Sequence, residues 1–209
     1  MAASLGSDRP ASSRMPAPRR RRQLLDVAIA VFADRGFFGT SMEDVADAAG
    51  VTKPVLYQHF SSKRHLYLEL LDDVGQQLVD AVLGAVATAP GPREQVEAGF
   101  GAYFRFVARQ TNAFRLLFGS GVRRDEQFAD AVGRFEDTMA VAVAELIEAD
   151  LDPEHQRLLG YGIVGLAEVT SRHWVTTGDG HGITIEEADR LAQRLGDLAW
   201  AGLRGVHPD

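Results

Sequence analysis

The sequence predicts an all-α protein, with a small N-terminal three-helix helix-turn-helix domain and a larger C-terminal helical bundle. Two observations predict it. Apolar residues recur at three- and four-residue spacing along most of the chain, with no sustained strand alternation and no internal repeat. Three such segments fall within about 40 residues near the start, the last two joined by a tight turn at Gly50. Charge is also divided. Residues 1–65 carry ten Arg/Lys against six Asp/Glu, and the remainder twelve against twenty-three, within a formal net charge of −7. A basic head on an acidic body suits a polyanion bound locally, although basic ends are also common on acidic soluble proteins.

The 209 residues, 45% of them hydrophobic, suffice for a buried core. There is no cysteine, which excludes disulfides and thiolate chemistry and suits a cytoplasmic setting. No run approaches the ~18 apolar residues of a membrane span, so no membrane partner is expected. The N-terminus lacks the apolar core of a secretory signal.

Residues 1–18 are rich in Ser, Ala, Pro and Arg and short of periodic apolar residues, so a disordered arm is expected. Arg19, Arg20, Arg21 and Arg22 follow. Leu24, Leu25, Ala28, Val31 and Phe32 form the apolar face of the first helix, and Gly36 stops it by taking the left-handed conformation at low cost. Thr40 and Glu43 have capping-box spacing for a short second helix, with Met42, Val45, Ala46 and Ala49 inward. Thr52 caps the third helix, with Pro54 in its first turn, where the missing donor costs least. Val55, Leu56 and Phe60 anchor that helix, and Ser61 caps the next. The fourth runs from near Lys63 to about Thr88, with Leu66, Leu70, Val74, Leu78 and Val82 on one side, and Pro90-Gly91-Pro92 breaks it. Further helices are expected over 94–110, 112–118, 125–148 and from Pro153 to about Thr176. The GDGHG stretch, 178–182, is a loop, and Thr184 with Glu187 caps a last helix to about Leu203.

In a helix-turn-helix pair the second helix enters the major groove. Its apolar side must face the other helices, which leaves Thr52, Lys53, Tyr57 and His59 outward. Lys53 and the helix N-terminal amides can meet phosphates; Tyr57 and His59 can add hydrogen bonds. Only Thr52, Lys53 and Tyr57 are placed for base edges. Lys63 and Arg64 stand at a helix N-terminus, which disfavours cations, and an external anion would explain them. The four arginines can follow the backbone or enter a minor groove. The other reading puts Tyr57 and Phe60 in the core and leaves Lys63 and Arg64 solvated.

The segment MEDVADAAGVTKPVLYQHFSSKRHLY, with AVFADRGFFGTS before it, resembles the N-terminal domain of the TetR family of one-component bacterial repressors. The resemblance covers roughly Arg19 to Leu70. It is carried by the Gly36-Phe37 turn, Thr40, Val45-Ala46, Ala49-Gly50-Val51, Leu56-Tyr57-Gln58-His59-Phe60 and Lys63, with His59 where tyrosine is commoner. It implies double-stranded operator DNA as partner, Thr52, Lys53, Tyr57 and His59 on the recognition helix, and Lys63 on a phosphate; Thr40 joins this DNA-binding set. It divides the chain into a helix-turn-helix domain over 19–65 and a ligand-binding and dimerisation domain over 66–205. Residues 53–60, the arginine-rich arm, GIVGLAEVTSRHW and LAWAGL further resemble actinobacterial regulators of lipid and fatty acid metabolism, some of which respond to long-chain acyl-coenzyme A. A hydrophobic small-molecule effector, such as an acyl-coenzyme A or fatty acid, is thereby implied; a small drug-like compound is the alternative.

Within the body, Gly160, Gly162 and Gly165 crowd one helix. Helical glycine costs up to ~1 kcal/mol relative to alanine, and close approach of another helix is the evident reason. With Leu191, Leu195 and Leu198 opposite, they are the expected homodimer interface; a crossing within the monomer is the other reading. Phe100, Phe104, Phe114, Phe118, Phe135, Met139 and Trp174 are candidates for an apolar pocket, or equally for solid core. Arg105, Arg109, Arg115, Arg123, Arg124, Arg172 and His173 are candidates for an anionic head group, or simply solvated. Nothing suggests catalysis. The histidines lack metal-ligand spacing, no serine sits in a nucleophile elbow, and GDGHG follows no strand. No catalytic residue, metal or cofactor is expected.

Overall fold

The computed structural model describes residues 16–119, 122–147, 150–177 and 183–206. They form helices α1 (Ala17–Gly39), α2 (Met42–Ala48), α3 (Lys53–His59), α4 (Lys63–Val86), α5 (Pro92–Arg109), α6 (Thr111–Phe118), α7 (Glu126–Glu145), α8 (Pro153–Thr177) and α9 (Ile185–Leu203), with a 3-10 turn at Val122–Arg124. The all-α expectation holds. The arm expected over 1–18 lies outside the described residues apart from its last three, and Ala17 and Pro18 already belong to the first turn of α1. The GDGHG loop also lies outside them.

In the head, α1 buries Leu24, Leu25, Ala28 and Phe32, and its helical course breaks at Gly36, where φ is 69°. Only glycine adopts that angle cheaply. The second cap lies one residue later than the Thr40–Glu43 spacing suggests. Ser41 accepts from Asp44 N at 3.1 Å, and Asp44 accepts from Ser41 N at 2.8 Å. The Thr40 hydroxyl is committed elsewhere: it is buried and donates to the Gly36 carbonyl at 2.8 Å. Similarly α4 is capped by Ser62, which accepts from His65 N at 3.0 Å, rather than by Ser61, which engages the His65 ring. Thr52 does occupy the N-cap of α3, but its side chain makes no capping bond. The Thr184–Glu187 box forms as expected, while α7 ends at Glu145, short of residue 148.

The body is organised around α4, which packs on α1 at its start and on α5, α6 and α7 further along; α9 lies against α5, and α8 against α7. Leu66, Leu70, Val74, Leu78 and Val82 are all buried along its inner side. Head and body meet at an aromatic cluster. Phe37 and Tyr67 lie 4.8 and 4.7 Å from the Phe128 ring, and Phe32 lies 5.0 Å from Tyr67.

Arg64 covers that cluster, 4.8 Å above the Phe128 ring, and makes a two-pronged pair with Asp125 at 2.9 and 2.7 Å. Asp125 is also the N-cap of α7. The hydrogen bonds and charge of Arg64 hold the Asp125 carboxyl below its ordinary range. Hydrogen bonds from Ser41 and Thr184 do the same for Asp44 and Glu187. A carboxylate depressed in the folded state adds stability above its unfolded pKa and loses it as pH falls through the folded value. The melting temperature is therefore expected to hold above the ordinary carboxylate range of about 4 and to fall below it. Asp125→Asn should melt lower at neutral pH and lose its share of the acid dependence in a pH series of thermal melts. A parallel shift of the whole curve would contradict the assignment.

Candidate nucleic-acid interface and ligand cavity

On α3, Leu56 and Phe60 are fully buried and fix the helix against the head. That orientation turns Thr52, Lys53, Tyr57 and Gln58 outward, with Tyr57 43% exposed and His59 half-buried. Of the two readings left open, Tyr57 is surface and Phe60 is core. Lys53 has one loose partner, Glu43 at 3.7 Å. An exposed pair of this kind is worth ~0–1 kcal/mol, so a phosphate can replace Glu43 at little cost.

The two cations at the start of α4 both find hydrogen-bond partners within the chain. Lys63 donates to the carbonyls of Phe37 and Thr40, both at 2.8 Å, and sits 4.4 Å over the Phe37 ring. It thereby supplies donors to carbonyls at the C-terminal end of α1, where helical donors run out. Arg64 answers Asp125. The Asp125 carboxylate thus meets the charge of Arg64, so the anion expected from the helix dipole is not needed there, whereas Lys63 donates only to neutral carbonyls and keeps its positive charge. The arginine run is likewise partly engaged. Arg20 donates to Gln23 at 2.7 Å, Arg21 pairs with Glu69 and lies 4.8 Å over the Phe60 ring, and Arg22 spans Asp26 and Asp73 at 2.9 and 2.7 Å. Arg19 is exposed.

The body contains an apolar cavity of about 450 Å³, within the ~300–1,000 Å³ range of small-molecule sites. Val82 and Val86 of α4, Val96, Phe100 and Tyr103 of α5, Met139 and Val143 of α7, Ile163, Val164 and Ala167 of α8, and Trp200 and Leu203 of α9 form its walls. Arg204, also on the wall, is exposed and marks the solvent side. At ~1.5 Å per helical residue, Val82 lies roughly 28 Å along α4 from Lys63.

Two of the seven aromatic and methionine candidates, Phe100 and Met139, line this cavity. Phe104, Phe114 and Phe118 are core, at 0, 1 and 7% exposure. Phe135 is half-buried, with its ring edge against Phe118 at 6.0 Å and its Cβ 3.1 Å from where a side chain on Gly75 would begin. Trp174 packs on the core outside the cavity wall. Tyr103 and Trp200 are wall residues that the sequence did not single out. The signal present was the row Val96, Phe100, Tyr103 on one face of α5, but a shared face does not tell a cavity wall from packed core.

The expected interface residues also separate. Gly160 serves inside the subunit: a Cβ there would lie 2.2 Å from the Ala140 carbonyl oxygen, so the α7–α8 crossing requires glycine. Leu191 is 7% exposed within the core, and Leu195 packs on it half-buried. At Gly162 and Gly165 a Cβ would meet nothing within 4 Å. They share the outer face of α8 with exposed Leu158, Tyr161 and Val169, and Leu198 of α9 is 59% exposed. Arg105 pairs with Asp189 at 2.7 Å and Arg172 with Glu168 at 3.4 Å. Among the described residues no cluster of His, Cys, Asp or Glu is arranged to hold a metal ion, and no helix is long and apolar enough to cross a membrane.

A three-helix head with an outward α3, joined by one long helix to a body with an apolar cavity, defines a helix-turn-helix regulator with an effector domain. Residues 24–70 match the model of the tetR family of bacterial regulatory proteins, and residues 92–202 match the tetracyclin repressor-like C-terminal domain. The chain is 34% identical over 208 residues to the HTH-type transcriptional activator FasR of Mycolicibacterium smegmatis, covering 96% of this chain and 93% of that one. It superposes on a TetR-like transcriptional regulator from Rhodococcus sp. RHA1 with a TM-score of 0.74 and 30% identity, over 92% of this chain and 100% of that one. The fatty acid degradation regulator FadR of Bacillus halodurans shares the fold, with a TM-score of 0.76 at 19% identity over 91% and 99% of the two chains. The chain belongs to the TetR family: it is a ligand-responsive DNA-binding regulator and not an enzyme.

Proposed function

We propose that the protein binds palindromic operator DNA as a homodimer through its two α3 helices, under the control of an apolar effector held in the body. The effector is a long acyl chain, as an acyl-coenzyme A or fatty acid, and the genes controlled are those of lipid or fatty acid metabolism. The observation that carries this reading is the 450 Å³ apolar cavity, walled by the far end of the same helix that starts at the head. A ligand that favours one position of α4 favours one spacing of the two heads, and only such differential binding can control DNA affinity.

Thr52, Lys53 and Tyr57 are the residues proposed for base edges and phosphates, with His59, Lys63 and Arg19 to Arg22 on the backbone. One recognition helix reads few base pairs, so specificity calls for two copies on a repeated half-site. The exposed face of α8 with Leu158, Gly162, Gly165 and Val169, continued by Leu198 of α9, supports pairing there. The acyl reading is supported by the resemblance to actinobacterial lipid regulators and by the nearly unbroken apolar wall. The cavity volume also suits a compact hydrophobic compound, which is the second reading.

Thermal melts across acyl-coenzyme A chain lengths separate the two. Each buried methylene is worth ~0.8 kcal/mol, so stabilisation should climb to one preferred length and then fall. At a ligand concentration of about 100 times Kd it should reach ~2.7 kcal/mol. A response flat across all lengths would turn the assignment to the compact compound.

A further inference from the structure

The cavity has a direction. Pro92 and Tyr103 both line it, so it follows α5 for roughly 16 Å at ~1.5 Å per residue. α9 runs antiparallel to α5, with Arg93 beside Asp197 at 3.6 Å and Arg105 beside Asp189 at 2.7 Å. The C-terminal end of α9 therefore meets the start of α5. At that end the wall residues Pro92 and Arg204 are exposed, and Gln95 is half-buried. At the other end Phe100, Tyr103 and Met139 are buried. One end opens to solvent and the other lies in the core.

Charge is placed at the open end alone. Among the described residues Arg204 is the single charged group on the wall, and no described carboxylate pairs with it. Its neighbours in kind are engaged. Arg93, at the start of α5, is held by Glu97 at 2.9 Å. Arg105 and Arg172, which the sequence offered for an anionic head group, pair with Asp189 and Glu168 and do not line the cavity. A cation in the last turn of α9 suits the helix dipole, but the dipole does not account for its place on an apolar wall. Gln95 adds an amide donor at the same end.

We propose that the mouth of the cavity is a subsite for the anionic head of the effector, a carboxylate or a phosphate, held by Arg204 with Gln95, while the tail runs inward to Phe100 and Met139. This rests on the cavity being the effector site. A guanidinium offers two parallel donors to a carboxylate or phosphate. At the mouth that anion keeps part of its water, whereas at the inner end it would lose all of it among apolar walls. The effector is therefore charged at one end only and enters tail first. Arg204 sets the sign of the head, and the buried residues at the far end set the length of the tail.

Isothermal titration of the full chain at neutral pH with decanoate, 1-decanol, decylamine and decanedioate tests this. Decanoate is expected to bind about fivefold more tightly than decanol, the effect of a partly exposed ion pair, and more tightly still than decylamine. Decanedioate, which must bury its second carboxylate, should bind at least about tenfold more weakly than decanoate. Arg204→Gln should erase the preference for decanoate, and Arg204→Glu should turn it toward decylamine. The side chain is exposed, so both variants should keep the unliganded melting temperature. Decanoyl-coenzyme A tells the two heads apart: an equal loss in Arg204→Gln places a phosphate on the arginine, and no loss places a carboxylate there. Decanoate binding no better than decylamine, or a preference that survives in Arg204→Glu, overturns the subsite and leaves the cavity assignment standing. Decanedioate as tight as decanoate overturns tail-first entry. Binding of none of the probes overturns the subsite and the cavity assignment together.

Discussion

Alanine at both Lys53 and Tyr57 is expected to lower affinity for operator DNA by roughly a thousandfold without unfolding the head. Both side chains are exposed on α3, whereas the residues that anchor that helix, Leu56 and Phe60, are fully buried and untouched. A lost phosphate or base contact costs ~1 kcal/mol or more. A dimer carries each substitution twice, so the four losses amount to ~4 kcal/mol, about three powers of ten in Kd. Surface substitutions of this kind change folding stability by only ~0.5 kcal/mol. Fluorescence anisotropy on a genomic fragment at fixed salt, with a melt of the same sample, separates the two effects. An affinity that does not move would take α3 off the DNA.

The second large effect is on stability. Gly160→Ala is expected to destabilise the protein by about 2–3 kcal/mol in urea unfolding, although alanine is the better helix former by up to ~1 kcal/mol. The new Cβ would lie 2.2 Å from the Ala140 carbonyl oxygen and 3.1 Å from its carbon. Those are backbone atoms, so α7 and α8 must part, and overpacking of this sort costs ~1–3 kcal/mol or more. Gly162→Ala is the contrast. With nothing within 4 Å in the subunit, it should be neutral or slightly stabilising to one chain, and any penalty should appear as weaker dimerisation in sedimentation. A neutral Gly160→Ala would mean that the helix crossing is looser than the structure has it.

These two glycines show where the sequence stops being legible. A cluster of helical glycines says that some helix comes close, and at Gly160 that much is correct. It does not say which helix, and Gly160 answers to α7 of its own chain while Gly162 faces outward. The caps show the same limit at shorter range. Thr40 and Ser41, or Ser61 and Ser62, are equivalent as hydroxyls, and burial of Thr40 against the Gly36 carbonyl decides between the first two. Lys63 and Arg64 look in the sequence like charges waiting for an anion. Their partners, the carbonyls of Phe37 and Thr40 and the carboxylate of Asp125, are up to 61 residues away along the chain.

The sequence by itself determined the all-helical class, the positions of the helices, the break at Gly36 and the outward side of α3. Each of these follows from local chemistry: a 3.6-residue repeat sets which side of a helix is apolar, and glycine tolerates a positive φ. Tertiary structure alone decided that Phe104 is solid core while Phe100, one turn away on the same helix, is a cavity wall. A void arises where several helices cross without filling the space between them. The length of each apolar side chain is written locally, but the distance to the helix opposite is set by the packing of α4, α5, α7, α8 and α9 together.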